Sequence, residues 1–558
     1  MRSTRPVAIA ATAALLLTWG WAQEMPRHSP NPGAKASARQ LTAEQWREDL
    51  RYFATEFPKT HRNAFHAIPQ AEWEAAVKRL DERIPQLKRH QVIVQLSKLV
   101  ALIGDGHTCF HSFYSPEVGF RRYPVTFYYF SDGLYVRGAD PRYANVVGGR
   151  VVKLGKASAE EAMKAAATVD GRDNEMWPKL TASWRLQTAE VVDALGLTDD
   201  MEHTPLTVEK DGKQVTAMLT PEVVPEEDVN SSLLPKGWVD ARGDKKMLWQ
   251  QDLANNFWYE YQPERRALYV QFNAVLNKEK GETLAQFFDQ VFAFADTHDV
   301  DRMVLDMRNN GGGNNYLSPP IVKGIMRSAK LNQRGKVYVI IGRHTFSAAQ
   351  NTTNWLKKWT DAIFVGEPTG ASPNSFGDAV PVKLPNSGLL PYASTVWWQD
   401  VDERNPAKWV APDIAVEMSG EDYRRGVDPV LEATLTAAPE PPLDQQVRAA
   451  LAGGDDLDRV RKLVRGFRDD PRHRYANFED AFNLLGYELM SEKKLEAAIA
   501  VFELNVESYP KSWNPWDSLA EALMNRGDKE KAIAYYEKSL ELNPKNQNAV
   551  AMLAKLRQ

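Results

Sequence analysis

The chain has 558 residues, more than one ordinary hydrophobic core holds, so two or three domains are expected. Its hydrophobic share of 43% and charged share of 25% are those of a globular protein, and a net charge of −4 offers no footprint for nucleic acid or an anionic membrane. A single cysteine, Cys109, excludes an intramolecular disulfide framework.

Met1 to Ala22 has a basic start (Arg2, Arg5), an apolar run from Val7 to Trp21, and small residues at Gly20 and Ala22. This reads as a secretory signal peptide, with an uncleaved N-terminal anchor as the alternative. The run is short for a membrane-spanning helix, and no cysteine follows it for a lipid. The expectation is a secreted or periplasmic protein with no membrane span after cleavage. Residues 23–39, rich in proline and serine, read as a flexible spacer.

Residues 40–103 read as a small helical cap. Thr42 with Gln45 opens a capped helix, and Trp46, Leu50, Phe53 and Phe57 follow at helical spacing. Trp73 to Leu87 and His90 to Ile103 supply two more amphipathic segments. His61, His66 and His90 read as surface or packing residues.

The next stretch, Ile103-Gly-Asp-Gly-His-Thr-Cys, places His107 in a turn with a carboxylate, Asp105, two residues away. A histidine so placed is a candidate general base or a plain surface-turn residue. His107 and His111 have an i, i+4 spacing, which holds a metal only on a helix. Thr108 to Phe113 reads as a strand, so no metal site is expected, and no cofactor. Phe120 to Met163 alternates like strands, and Gly148-Gly-Arg-Val-Val-Lys-Leu-Gly-Lys resembles the latter half of a PDZ domain, placing a PDZ-like segment at 120–170. Pro221 to Pro263, polar and tryptophan-bearing, reads as an insertion near a cleft.

Arg266 to Asn273 reads as a strand, Glu282 to His298 as an amphipathic helix, and Met303 to Met307 as a buried strand ending in Arg308-Asn-Asn-Gly-Gly-Gly313. Glycines at a strand end let backbone N–H groups approach a ligand. Lys336 to Ile341 is another buried strand, followed by a turn, a helix from Ser347 to Trp359 with Ala348, Trp355 and Trp359 as its apolar spacing, and a strand from Ala362 to Val365. Strand, helix and strand in alternation imply right-handed crossovers and a parallel sheet, whose strand tips hold ligands. Ser347 therefore stands at a strand tip where a helix begins, either as a nucleophile beside free N–H groups or as a plain N-cap.

Four stretches in this order, Ile103-Gly-Asp-Gly-His-Thr-Cys, Leu305-Asp-Met-Arg-Asn-Asn-Gly-Gly-Gly with Thr345-Phe-Ser-Ala-Ala-Gln, Phe364-Val-Gly-Glu-Pro-Thr-Gly, and Ala411-Pro-Asp-Ile, resemble the S41 serine peptidases. That family includes the tail-specific proteases, the tricorn core protease and the interphotoreceptor retinoid-binding protein. The resemblance covers about residues 40 to 436 and implies a ClpP/crotonase-like α/β core in a catalytic region of 104–436. It implies Ser347 as nucleophile, His107 as its base, and the N–H groups of Gly312 and Ala348 as the oxyanion hole. Tail-specific proteases place a lysine after the Val-Gly-Glu-x-Thr motif. Here none lies between Lys358 and Lys383, which favours His107 over a serine–lysine dyad. For the residue that orients the histidine, the acids Asp400, Asp402 and Glu403 are candidates, Asp402 being the choice. His344 reads as a shaper of the turn. The substrate implied is a peptide or protein.

Residues 437–470 read as a proline-rich linker with a weak helical stretch, and 471–558 as repeats. Ala498 and Ala532, Ile499 and Ile533, and Pro510 and Pro544 are each 34 apart, the tetratricopeptide period. The repeats read either as a binding surface for a peptide or protein partner or as a stabilising cap. Three functions stay open: a secreted serine peptidase, a non-catalytic binding protein on the same fold, and a repeat scaffold of the cell envelope.

Overall fold

The computed structural model describes residues 40–557, apart from 111, 112, 116, 226, 227, 229–233, 404, 406 and 453–456. The signal peptide and spacer expected over 1–39, and His111, lie outside the described residues. No helix among the described residues is long and apolar enough to cross a membrane.

The centre is a six-stranded sheet in the order Phe257–Gln262, Ala267–Phe272, Arg302–Asp306, Val337–Ile341, Ile363–Gly366, Ile414–Ala415. The first pairing is antiparallel and the rest are parallel. The unbroken apolar runs are explained by burial on both faces, as parallel sheets require. Met303, Leu305, Val337, Val339 and Ile341 meet the helices Leu284–Thr297 and Ala348–Trp359 on one face. Val304, Tyr338, Ile340 and Val365 meet Val430 and Leu431 of the helix Pro429–Thr436 on the other. The expected strands are found within a residue or two at each end. The helix after Ser347 differs from its expected face: Ala348, Ala349, Thr352, Thr353 and Leu356 are buried, while Trp359 is exposed.

The region 40–103 holds the helices Ala43–Thr60, Gln70–Arg83 and Arg89–Ala101. Gln45 N–H donates to Thr42 Oγ1 at 3.2 Å and Thr42 N–H to Gln45 Oε1 at 2.9 Å, closing a capping box. Trp46, Leu50, Phe53 and Phe57 pack with Leu384, Leu389 and Ala393, which belong to the hairpin region built on the strands Asn374–Pro381 and Pro391–Gln399. The cap is thus joined to a hairpin that follows the serine in sequence.

The sheet of the segment expected as PDZ-like extends beyond 120–170. It runs Val239–Asp240, Gly133–Ala139, Arg150–Leu154, Thr204–Lys210, Lys213–Leu219, with Val125–Phe130 and Ala157–Ser158 attached. Local alternation does not reveal that the hairpin at 204–219 returns to the same sheet after three intervening helices. Nor is 221–263 a separate insertion. Val239–Asp240 closes the PDZ-like sheet, and Phe257–Gln262 forms the edge of the central one.

The stretch expected as a linker with weak helicity holds two helices, Leu443–Ala452 and Leu457–Asp469, that share a core with the repeat helices Glu479–Ser491, Leu495–Ser508 and Trp513–Arg526. Lys529–Leu542 and Gln547–Leu556 complete the array. It is docked on the sheet domain: His473 Nδ1 donates to the Asp413 carbonyl at 3.0 Å, and Arg474 and Tyr475 both reach Glu417.

Candidate functional site

The turn between Val337–Ile341 and the helix Ala348–Trp359 is fixed by its own polar groups. Gly342 N–H donates to Thr345 Oγ1 at 3.0 Å, and that hydroxyl donates to the Met307 carbonyl at 3.0 Å, tying the turn to the neighbouring strand tip. Phe346 N–H donates to the Asn310 carbonyl at 3.1 Å. So held, Ser347 has φ +51° and ψ −128° and its side chain makes no capping hydrogen bond. An N-cap has extended backbone and a hydroxyl turned back onto the helix. Ser347 has neither, which removes the plain N-cap reading. A non-glycine residue here costs about 1–3 kcal/mol, and a serine on such a strand-to-helix turn stands proud of the sheet.

The glycine strand tip lies against it. Gly312 has φ +110°, and a Cβ there would stand 2.6 Å from Ser347 Cβ and 2.9 Å from Ala348 N. Only glycine permits this approach. Ala348 N–H is in the first turn of its helix, where no intrahelical acceptor exists. The Gly312 N–H, expected beside it as an oxyanion donor, donates instead to Asn310 Oδ1 at 3.0 Å. Asn310 is wholly buried, with its Nδ2 held by the Phe272 carbonyl at 3.0 Å.

His107 comes to the same place from the cap side. Its ring packs on Phe346, the residue before the serine, with centroids 4.6 Å apart, and Trp177 stacks on Phe346 at 4.1 Å. The ring hydrogen-bonds to the Phe376 main chain, and Nδ1 is buried with no partner among the described residues. Burial lowers the His107 pKa below the ordinary histidine value, against the opposing charges of Asp105 and Asp378. The ring is neutral at neutral pH.

Asp105 holds the His107 backbone and makes no hydrogen bond to its ring. It accepts the N–H groups of His107 at 3.1 Å and Thr108 at 2.8 Å, the Ser394 hydroxyl at 2.8 Å, and His61 Nε2 at 2.9 Å. His61 is buried by this contact. Gly106 N–H donates to Asp173 Oδ1 at 2.9 Å, and burial together with the Asp105 charge pushes the Asp173 carboxyl up to about 7.

The acid cluster is placed elsewhere. Asp400 accepts Asn351 Nδ2 at 2.6 Å and Asn354 Nδ2 at 2.9 Å, on the serine helix. Asp402 presents its main-chain carbonyl to Asn374 Nδ2 at 3.3 Å. Order along the chain does not predict the carboxylate that acts on the ring from this side. Asp378 stands at φ +50° in the strand Asn374–Pro381, accepts Trp398 Nε1 at 2.7 Å, and is the charge from this strand that reaches His107. Aspartate tolerates the left-handed region better than most residues, so the Gly377-Asp378 pair inside an apolar strand is the signal that marks this position. His344 has its Nε2 3.2 Å from where a Gly311 Cβ would be, and burial alone lowers its pKa to about 4. Among the described residues no group of three or more His, Cys, Asp or Glu side chains converges as a metal site.

Residues 513–546 match the tetratricopeptide repeat family. No curated protein matches the chain. Among solved structures, a mutant of CPAF is similar over 72% of this chain and 100% of its own, with 12% identity and a TM-score of 0.50. Mature CPAF complexed with lactacystin covers 69% of this chain and 96% of its own, at 13% identity and a TM-score of 0.47. The photosystem II D1 C-terminal processing protease covers 67% and 94%, at 15% identity and a TM-score of 0.31. At these identities the likeness is one of fold: an α/β fold of the S41 kind, carrying a C-terminal helical array with a tetratricopeptide repeat.

Proposed function

We propose that the chain is a serine peptidase of the S41 type, with Ser347 as nucleophile and His107 as general base. The observation that carries this is the backbone of Ser347: a positive-φ serine on a strand-to-helix turn, its hydroxyl capping nothing, pressed against Gly312. Strain of this kind persists where the surroundings over-determine it, and it gathers at reacting groups. In the proposed reaction Ser347 Oγ attacks a peptide carbonyl while His107 Nδ1 takes its proton. The same nitrogen then passes the proton to the leaving amine, and water repeats the cycle on the acyl-enzyme. The Phe376 main chain beside the ring and the Asp378 charge both favour the imidazolium as it forms. Ala348 N–H meets the oxyanion. Gly312 N–H becomes the second donor when it leaves Asn310 Oδ1, and such a donor is worth about 3 kcal/mol of barrier.

The secretory reading of Met1 to Ala22 makes the substrate an extracytoplasmic peptide or protein. The array at the C-terminus supplies a surface for a protein partner. A binding protein on the same fold is the second reading, favoured by one observation, the Gly312 N–H committed to Asn310. Incubation with a peptide library separates the two. Cleavage by wild type that is absent in Ser347→Ala supports the peptidase, whereas saturable peptide binding with no cleavage, unchanged in Ser347→Ala, supports the binding protein.

A further inference from the structure

We propose that His61, at the end of the first cap helix, is a positioning residue for His107, acting through Asp105. The inference rests on the peptidase reading of Ser347 and His107. His61 and Asp105 are both almost wholly buried, at 0% and 2% side-chain exposure. Asn63 N–H donates to His61 Nδ1 at 3.0 Å, so Nδ1 is an acceptor and Nε2 carries the hydrogen that reaches Asp105 Oδ2. The other oxygen, Oδ1, takes three donors: the N–H groups of His107 and Thr108 and the Ser394 hydroxyl. A buried carboxylate is costly unless its lone pairs are filled. Here they are, and the hydrogen bond from His61 is the one directed at Oδ2.

The carboxylate joins three separate elements. His61 comes from the cap, His107 and Thr108 from the turn, and Ser394 from the hairpin strand Pro391–Gln399. Thr108 Oγ1 and Ser394 Oγ are also hydrogen-bonded to each other at 3.0 Å. Because Gly106 N–H goes to Asp173, three successive N–H groups, Gly106, His107 and Thr108, end on two carboxylates. Among the described residues the His107 ring rests on the Phe346 face and beside the Phe376 main chain. Its Nδ1 must keep its aim without a partner of its own, so the backbone beneath it has to be rigid. His61 fixes Asp105, and Asp105 fixes the turn. The cap is accordingly part of the catalytic apparatus and not only a cover for the sheet domain.

The test uses the full chain and a fluorophosphonate probe, with kinact and KI measured separately. His61→Phe keeps an aromatic ring but withdraws the donor to Asp105. His61→Gln keeps a donor for Asp105 and an acceptor for Asn63 N–H. Ser394→Ala removes a different donor to the same carboxylate. Expected are a fall in kinact of about 10- to 100-fold in His61→Phe with KI unchanged, a smaller fall in Ser394→Ala, and recovery toward wild type in His61→Gln. A His61→Phe protein that labels at the wild-type rate overturns the proposal while leaving the peptidase reading intact. If His61→Phe does not fold, Ser394→Ala decides, and wild-type kinact there overturns it. A wild type that does not label overturns the peptidase reading and this proposal with it.

Discussion

The crevice and the C-terminal array are held by different means. In the array, close helix contacts are made by removing side-chain bulk. Gly486 lies where a Cβ would stand 2.4 Å from the Phe502 ring, Ala498 and Ala532 are fully buried, and Gly527 at φ +97° ends a helix in the ordinary way. In the crevice, positive φ falls on Ser347 itself and on Asp378, which acts on His107, whereas the array's positive-φ non-glycine residue among those described, Lys493, lies in a turn between helices. The first arrangement packs helix on helix. The second spends stability at one point and holds it by a dense set of hydrogen bonds around that point, which is where local rules are expected to fail in a functional protein.

The largest effect expected is from Ser347→Ala. Turnover should fall by about 10⁶-fold while the melting temperature does not drop, since the strained residue contributes chemistry and not packing. Ser347→Gly should go further and stabilise the protein by about 1 kcal/mol, because glycine tolerates the positive φ. Gly312→Ala comes next. Its Cβ would overlap Ser347 at 2.6 Å in a backbone conformation closed to alanine, so activity should be lost together with about 2 kcal/mol or more of stability. Gly486→Ala is the matching lesion in the array. It should cost about 1–3 kcal/mol by denaturant titration yet leave labelling of Ser347 unchanged where the protein is folded.

The smallest effects are in pH. Ser347 needs neutral His107, whose pKa burial lowers, so the labelling rate should fall on acidification with a midpoint below about 6.5. A midpoint at or above that value contradicts the buried-base account. Asp173 titrates in the opposite sense. Its folded pKa of about 7 lies above the ordinary aspartate value of 3.8, so the folded protein binds the extra proton between those values. Stability should therefore decline as pH rises from about 4 to 7, and Asp173→Asn, which retains an oxygen for Gly106 N–H, should flatten that decline.

Much of this organisation is legible in the sequence because it rests on local pattern. The buried runs at Met303–Met307 and Val337–Ile341, the glycines after them, and the 34-residue spacing of Ala498 and Ala532 each declare their element directly. What is not legible depends on which distant strand returns to which place. The hairpin at 204–219 joins a sheet begun at 125, and no periodicity announces that partner. Asp402 is near the right motifs in sequence, yet Asp378, at φ +50° in the strand Asn374–Pro381, supplies a charge that reaches His107. His61 looks like a helix-end histidine until Asp105 is brought to it from 44 residues away. Gly312 shows a finer limit. Its contact with the serine follows from the glycine motif, but the direction of its N–H is set by Asn310, two residues before it.

The most direct test is fluorophosphonate labelling of the purified full chain, comparing wild type with Ser347→Ala and His107→Ala. The account predicts a single labelled serine in wild type, mapped to Ser347 by mass spectrometry, and no labelling in either variant. Wild type that stays unlabelled across pH 6 to 9, or labelling that persists in Ser347→Ala, would contradict it.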